Sequence, residues 1–217
     1  MKTINIMVGG PASEIPDLAQ YTSGEISWIG VDRGAKRLLD RGIIPTIAMG
    51  DFDSLSKEEL TYLKTKVADV LEFPAEKDET DTEIGLSWAM EQKPDKIRIF
   101  GAFFFTGGRL DHLLANLMML TKPKFLSAVP VVEMIDRYNY IKMYTPGSYT
   151  IEKLPDKKYV AFTTMRDVTG LTLKGFAYPL ENATYPVGSA LSSNEFVGQM
   201  GEFSFKSGMI LLTQSND

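Results

Sequence analysis

Hydrophobic and polar positions divide the chain into two parts with different periodicities. In the first part, short apolar runs alternate with segments in which apolar residues recur about every 3.6 positions. Such strand and helix signals in alternation are typical of a mainly parallel sheet with helices on both faces, so we predict an α/β fold for this part. The predicted strands are residues 4–8, 26–31, 47–49, 70–73, 97–100 and 129–135, and the predicted helices are residues 35–41, 57–66, 82–91 and 110–121.

The pattern changes near residue 140. Short β-rich runs follow, separated by glycines and by a turn-like segment at residues 144–150, and no segment after Thr121 has a convincing helical period. This pattern is typical of an antiparallel sandwich or barrel. The predicted strands here are residues 158–164, 171–173, 199–205 and 209–213. We therefore predict an α/β domain at residues 1–136 and a β-rich domain at residues 137–217.

Composition and charge narrow the class of protein. The 217 residues are 44% hydrophobic and 24% charged, as in an ordinary soluble globular protein. The net charge of −5 argues against a nucleic-acid binder, and no apolar run approaches the roughly 20 residues of a membrane span. The absence of cysteine and the single histidine exclude thiolate zinc sites and multi-histidine metal centres. We expect a cytoplasmic enzyme with neither nucleic-acid nor membrane partners.

Acidic residues are concentrated in three short segments. Carboxylates at this density would repel one another in a folded site unless a divalent cation lay among them. Lys77 and Arg109, which accompany them, are suited to phosphate oxygens. Ligands for Mg²⁺ beside cations for phosphate predict chemistry on a nucleoside triphosphate. The segments are Gly50-Asp51-Phe52-Asp53-Ser54, Lys77-Asp78-Glu79-Thr80-Asp81 and Gly107-Gly108-Arg109-Leu110-Asp111-His112.

Asp32, Asp51 and Asp53 each follow a predicted strand. Ligands of open parallel sheets bind beyond the carboxyl ends of the strands, so we expect these carboxylates to meet there and to bind Mg²⁺. The simpler alternative is that Asp32, and Asp53 together with Ser54, cap the helices that follow.

The segment from Lys77 to Glu83 opens a predicted helix. Thr80 and Glu83 have the spacing of a capping box, which is a purely structural interpretation. A functional interpretation fits equally well. Asp78 and Asp81 would share one helical face, and Lys77 stands at a helix entrance, where anions bind.

The segment before the last predicted helix has two glycines that permit close approach of the backbone to a ligand. Arg109 would then reach a phosphate at the helix N-terminus. For His112 we predict a supporting role, such as orienting Asp111. The sequence contains neither a P-loop motif nor a Gly-x-Gly-x-x-Gly fingerprint.

Taken in order, these segments resemble those of bacterial thiamine pyrophosphokinases. The resemblance spans most of the chain, although Arg33 stands where a small residue is common in the family. The matching stretches are Asp32-Arg33-Gly34-Ala35, Ile43-Ile44-Pro45, Gly50-Asp51-Phe52-Asp53-Ser54, Lys77-Asp78-Glu79-Thr80-Asp81, Gly107-Gly108-Arg109-Leu110-Asp111-His112, Asn116 and Ser193-Asn194-Glu195-Phe196.

The resemblance implies a Rossmann-like catalytic domain that binds ATP and a C-terminal β-sandwich that binds thiamine. It also implies a homodimer with active sites at the subunit interface. The implied reaction is Mg²⁺-dependent transfer of the pyrophosphoryl group of ATP to the hydroxyl of thiamine, giving thiamine diphosphate and AMP. Two alternatives stay open: a pyrophosphokinase for another hydroxymethyl heterocycle such as a pterin, and a protein that binds a nucleotide or thiamine without turnover.

The resemblance also assigns roles to individual residues. The proton acceptor for the thiamine hydroxyl is left open among Asp51, Asp53, Asp78 and Asp81. The implied Mg²⁺ ligands are Asp32, Asp51, Asp53 and Asp81; the ATP-binding residues are Asp32, Lys77, Thr80, Arg109, His112 and Asn116; the catalytic residues are Asp51, Asp53, Lys77, Asp78, Asp81, Arg109 and Asp111; and the thiamine-binding residues are Ser193, Asn194 and Glu195.

Overall fold

A computed structural model describes residues 1–102 and 109–216 of the chain. The chain has a mixed α/β architecture with both parallel and antiparallel strands. It divides into two compact units, Met1–Arg137 and Tyr138–Asp217. Among the described residues, no helix combines the length and the apolar character needed to cross a membrane.

The first unit contains a parallel sheet with the strand order β4-β3-β2-β1-β5-β6. The order reverses direction at β1, and the crevice at such a reversal is where open α/β sheets bind ligands. The elements are β1 (Thr3–Met7), β2 (Ile26–Val31), α1 (Arg33–Leu39), β3 (Ile47–Gly50), α2 (Lys57–Lys66), β4 (Asp69–Glu72), α3 (Asp81–Glu91), β5 (Lys96–Phe100), α4 (Leu110–Met119) and β6 (Val132–Ile135).

Burial and capping explain these elements. Every residue of β1 and β3 is buried, as expected for central strands of a parallel sheet covered on both faces. Helices α2 and α3 each begin with a capping box, in which the cap side chain and the Glu three residues later bind each other's backbone N–H groups. The capping box predicted for Thr80 and Glu83 is therefore confirmed.

The second unit contains only antiparallel strand pairs among its described residues. Strand β9 changes partners along its length, because its first half pairs with β11 and its last residues pair with β12. The core is aromatic: the ring of Phe162 lies 5.3 Å from those of Phe176 and Phe203. The strands are β7 (Asn139–Tyr144), β8 (Gly147–Glu152), β9 (Tyr159–Lys174), β10 (Leu180–Tyr185), β11 (Ala190–Glu195), β12 (Met200–Phe205) and β13 (Ser207–Ser215).

Several predicted boundaries in the later part of the chain are wrong. The two strands predicted within residues 158–173 form the single strand β9, and the strand predicted from residue 129 begins only at Val132, after a 3-10 helix at Pro123–Ala128. Strands β7, β8, β10 and β11 were not predicted, and the segment predicted to be turn-like, residues 144–150, includes the first residues of β8. In β10 and β11 most positions are polar or only partly buried, so they lack the hydrophobic alternation that indicates a strand.

Candidate active site

A cavity of about 710 Å³ lies in the first unit at the carboxyl edge of the parallel sheet. Gly9, Asp32 and Asp51, which line it, follow β1, β2 and β3, respectively. Lys77 and Arg109 line it from the segments that precede α3 and α4. Residues from all three acidic segments predicted to form the site therefore line this cavity. It lies at the edge of the sheet where a ligand is expected.

Three carboxylates converge in this cavity. Asp32, Asp51 and Asp81 each offer one oxygen atom, and these atoms lie within 4.8 Å of one another. Partial burial raises the pKa of Asp32 to about 7, and the negative charge of Asp81 adds to this effect. The Oδ1 atom of Asp81 is buried, and the charged partner described beside it is Lys77 Nζ at 3.1 Å. An arrangement of crowded hard oxygen atoms fits a divalent cation such as Mg²⁺.

The ends of β2 and β3 hold Asp32 in an unusual backbone conformation. Asp32 has φ 49° and ψ −128°, and Phe52 also has a positive φ, of 55°. The N–H of Asp32 donates to the carbonyl of Met49 at 2.9 Å, and the N–H of Phe52 donates to Asp32 Oδ1 at 3.2 Å. Non-glycine residues held in sparsely populated conformations persist only where their surroundings fix them, and such residues cluster at functional sites.

Lys77 lies between two of the three carboxylates. Its Nζ is 3.1 Å from Asp81 Oδ1 and 3.5 Å from Asp51 Oδ2. Burial lowers the pKa of Lys77, but the hydrogen bond and charge of Asp81 and the charge of Asp51 outweigh it, so the pKa lies above its ordinary value. Lys77 is therefore a permanent cation that offsets part of the negative charge in the cavity.

The start of α3 forms another wall of the cavity. Asp78, Glu79 and Thr80 line it together with Asp81. Thr80 Oγ1 accepts a hydrogen bond from the Glu83 N–H at 3.3 Å, and a hydroxyl in this position can still donate its own hydrogen. The prediction that Asp78 and Asp81 share a helical face is wrong. The cap residue Thr80 is extended, with φ −69° and ψ 155°, so the helix begins only at Asp81.

At the start of α4, Arg109 and Asp111 bind each other through two hydrogen bonds. Arg109 Nε donates to Asp111 Oδ1 at 3.2 Å and Nη2 donates to Oδ2 at 2.5 Å. The hydrogen bond from Arg109 holds the pKa of Asp111 below its usual value. Arg109 lines the cavity, whereas Asp111 is not among its described lining residues. Gly107 and Gly108 lie outside the described residues.

The remaining residues predicted to bind ATP or metal also line the cavity. His112 and Asn116 do so from α4, and Asn116 is buried, with its Nδ2 donating to the Ala102 carbonyl at 2.8 Å. Asp53 is an exposed lining residue whose N–H donates to Asp51 Oδ1 at 3.1 Å. Asp53 is not part of the group of three carboxylates found among the described residues.

Two cationic lining residues were not predicted. Arg33 and Arg37, on α1, both line the cavity. Their separation by four residues places them on one face of the helix, and this spacing is visible in the sequence. Arg33 was noted there only as a departure from the family pattern.

In the second unit, the predicted thiamine-binding residues lie in β11. The side chain of Asn194 is buried; its Oδ1 accepts from the Tyr178 N–H at 2.9 Å and its Nδ2 donates to the Tyr178 carbonyl at 3.0 Å. Ser193 is exposed and has a φ of 56°, and the register of β11 against β9 shifts between Leu191 and Asn194. The Asn194 amide therefore fixes this irregular part of β11, which includes the exposed Ser193, to the backbone of Tyr178 in the same unit.

The fold and the cavity define an α/β protein with an acidic, cation-lined site at the carboxyl edge of a parallel sheet. Two family models match the chain: "Thiamin pyrophosphokinase, catalytic domain" at residues 18–132 and "Thiamin pyrophosphokinase, vitamin B1 binding domain" at residues 148–210. The chain belongs to the thiamin pyrophosphokinase family.

Individual relatives match along their whole length. The thiamine pyrophosphokinase of Bacillus subtilis strain 168 is 45% identical over 219 residues, covering 100% of both chains. A solved structure of a thiamin pyrophosphokinase family protein from Enterococcus faecalis is 38% identical with a TM-score of 0.92, and covers 100% of both chains. The solved B. subtilis enzyme is 43% identical with a TM-score of 0.90, at the same coverage. The family predicted from the sequence is thus confirmed.

Proposed function

We propose that the protein transfers the pyrophosphoryl group of ATP to the hydroxyl of thiamine, in a Mg²⁺-dependent reaction that yields thiamine diphosphate and AMP. The observation that carries this proposal is the convergence of Asp32, Asp51, Asp81 and Lys77 in one cavity, within the segment that matches the catalytic family model. The match of the second unit to the vitamin B1 binding model favours thiamine over a pterin as the acceptor.

Asp32, Asp51 and Asp81 would hold the Mg²⁺ ion, since their oxygen atoms already lie within 4.8 Å of one another. When bound, the ion supplies positive charge that offsets the negative charge of the phosphate groups. Asp53, at the wall of the same cavity, stays a predicted fourth ligand.

The cationic side chains position the polyphosphate. Lys77 is held beside the carboxylates by its two ion pairs, and Arg109 is held by two hydrogen bonds to Asp111. Preorganised cations stabilise charge on a transferring phosphoryl group at little reorganisation cost. Asp111 then acts by orienting Arg109, while Thr80, His112 and Asn116 supply polar groups to the ATP-binding wall.

The proton of the thiamine hydroxyl must pass to a base as the new P–O bond forms. Asp51 and Asp81 are already engaged, because each forms an ion pair with Lys77 and offers an oxygen atom to the proposed metal site. We therefore favour Asp53 or Asp78, both of which line the cavity, as the proton acceptor. The ion pairs of Asp51 and Asp81 with Lys77 support this choice.

Several finer assignments belong to the same proposal. The strand order of the first unit supports a Rossmann-like ATP-binding domain, and the change of partners along β9 supports a β-sandwich that binds thiamine through Ser193, Asn194 and Glu195. The cytoplasmic location and the absence of nucleic-acid and membrane partners stay predictions.

A homodimer also stays part of the proposal. Leu110, Leu114 and Met118 recur every four residues along α4 and are 66%, 51% and 45% exposed, which supports a protein surface that a second copy covers. Active sites at the interface between the copies are the arrangement that the family resemblance implies.

The proposal is tested by incubating the purified full-length protein with thiamine, ATP and Mg²⁺ and separating the products chromatographically. We expect AMP and thiamine diphosphate in equal amounts, and neither product when Mg²⁺ is removed with a chelator. A parallel reaction with a hydroxymethylpterin tests the alternative acceptor. Binding of thiamine and ATP without AMP formation, or AMP formation with the pterin alone, would overturn the proposal.

A further inference from the structure

Arg33 is a cavity residue to which the proposed reaction gives no role. It lies directly after Asp32, at the start of α1, and lines the cavity. A Cβ built on Gly9 would lie 3.4 Å from Arg33 Cβ, so the stem of the arginine runs alongside the end of β1. This is the point where the strand order of the sheet reverses, which is the usual ligand position in such sheets.

Arg33 belongs to a row of three arginines on α1 and its C-terminal end. Arg33, Arg37 and Arg41 follow one another at four-residue spacing, an arrangement of like charges that destabilises a helix. The two later arginines donate to backbone carbonyls, those of Gly10 and Ala12, which do not neutralise their charge. Burial and then the charge of Arg33 lower the pKa of Arg37 from its ordinary value. Two arginines, Arg33 and Arg37, therefore line the cavity from α1, and the charges of Asp40 and Glu59 oppose only part of the lowering of the pKa of Arg37.

The cations of the cavity differ in how closely carboxylates hold them. Lys77 has two carboxylates at 3.1 and 3.5 Å, and Arg109 binds Asp111 through two hydrogen bonds. The ion pair of Arg33 is with Glu59 of α2, at 3.8 Å, and both side chains are about one-third exposed. An ion pair of this length between partly exposed side chains contributes little, so the Arg33 guanidinium can exchange it for a better anion.

We propose that Arg33 binds a phosphate group in the cavity, as a positioning residue for the phosphorylated substrate or product. This inference rests on the proposed function. The planar guanidinium presents paired N–H donors that match two phosphate oxygens, and an incoming phosphate dianion also relieves the repulsion within the arginine row. Two ligands of the reaction carry such a group, the nucleotide and thiamine diphosphate, and the experiment below distinguishes them.

The test compares the affinities of phosphorylated and unphosphorylated probes for the full-length protein by titration calorimetry. The pairs are AMP with adenosine, and thiamine diphosphate with thiamine. In Arg33→Ala we expect the affinity for one phosphorylated probe to fall at least about tenfold, with the affinity for its unphosphorylated partner unchanged. Arg33→Lys should restore part of the affinity, because it keeps the charge but not the fork. The pair that responds identifies the phosphate that Arg33 contacts.

Two control variants separate binding from structure. Arg41→Ala removes a cation from the same row without touching the cavity and should leave all four affinities unchanged. Glu59→Gln removes the ion-pair partner of Arg33 but keeps a side chain that completes a capping box. If Glu59→Gln weakens the same probe as Arg33→Ala, or if Arg33→Ala affects neither pair or both members of a pair equally, the inference is overturned. AMP formation from ATP and thiamine by the wild type, measured alongside, tests the proposed function separately.

Discussion

The carboxylate of Asp32 lies over the backbone of Gly50 so closely that a Cβ at residue 50 would sit 1.9 Å from Asp32 Oδ1. A side chain at residue 50 would therefore force the Asp32 carboxylate out of its present position. The glycine at the end of β3 is required by this contact across strands, in addition to its own positive φ of 150°. The structure of one strand end thus determines the position of a candidate metal ligand on the next.

Gly50→Ala should abolish most of the thiamine diphosphate formation and weaken Mg²⁺ binding, because the methyl group displaces Asp32. Gly42→Ala is the matched control, since Gly42 also has a positive φ, of 73°, but its added Cβ would meet nothing within 4 Å. We expect Gly42→Ala to lose about 1–2 kcal/mol of folding free energy through strain alone, with kcat retained. Thermal unfolding and steady-state kinetics of both variants check this. Equal activities of the two variants would contradict a functional role for the close contact between Gly50 and Asp32.

Asp32→Asn should stabilise the metal-free protein at neutral and alkaline pH. The pKa of Asp32 is raised to about 7 in the folded protein, mainly by burial, against roughly 3.9 in the unfolded chain. A raised acid pKa gives stability that is fully present below the unfolded value and is lost as the pH rises through the folded value. The advantage of Asp32→Asn should therefore grow between about pH 4 and pH 7 and then stay constant.

The measurement is the melting temperature of both proteins across this pH range with a chelator present. Adding Mg²⁺ should then stabilise the wild type more than Asp32→Asn, because the variant lacks one anionic ligand. A difference in melting temperature that is the same at every pH would contradict the raised pKa of Asp32.

The part of this site that could be predicted is the part that follows from the order of strands and helices in the chain. Asp32 and Asp51 follow neighbouring parallel strands, so the strand pattern alone indicated that they would meet. Asp81 joins them from the start of α3, and its place among the metal ligands was implied by the family resemblance. The φ of Asp32 had no sequence signal, because tertiary contacts impose it on a residue that normally avoids this region.

In the fold, too, elements with local sequence signals were predicted and elements formed by long-range pairing were not. The helix α2 was predicted with its observed bounds from its helical period, which is a local feature, and its capping box is local as well. The strands β10 and β11 were missed because most of their positions are polar or only partly buried, so no regular hydrophobic alternation marks them. Their register against β9 also shifts, which the sequence does not show. Local sequence signals therefore predicted helices such as α2, whereas strands formed by long-range pairing could not be predicted from them.

Asp51→Asn should lower kcat by roughly two orders of magnitude or more and raise the Mg²⁺ concentration needed for half-maximal rate. Asp53→Asn removes a carboxylate two residues away that lines the cavity but lies outside the group of three. We expect Asp53→Asn to leave the Mg²⁺ dependence closer to that of the wild type, even if it lowers kcat as a proton acceptor. Rates measured over a Mg²⁺ series decide this, and identical Mg²⁺ curves for Asp51→Asn and the wild type would refute the metal assignment.

Arg109→Lys should lower kcat/KM for ATP at least about tenfold, or roughly 1.4 kcal/mol of transition-state stabilisation. A lysine cannot reproduce the two hydrogen bonds to Asp111 that orient the guanidinium. Asp111→Asn, which keeps one acceptor but removes the charge, should show a smaller loss in the same direction. Wild-type kinetics in Arg109→Lys would show that Arg109 does not contact the nucleotide.

Ser193→Ala should raise the KM for thiamine several-fold and leave the KM for ATP unchanged, because Ser193 is the exposed residue that the Asn194 amide holds in place. Ser192→Ala, at the exposed neighbouring position, is the matched control and should change neither constant. Asn194→Ala should instead destabilise the protein by about 1–3 kcal/mol, because the Tyr178 N–H and carbonyl both lose their partner. Kinetics with each substrate varied in turn, together with denaturant unfolding, separate these roles. An unchanged KM for thiamine in Ser193→Ala would remove Ser193 from the thiamine site.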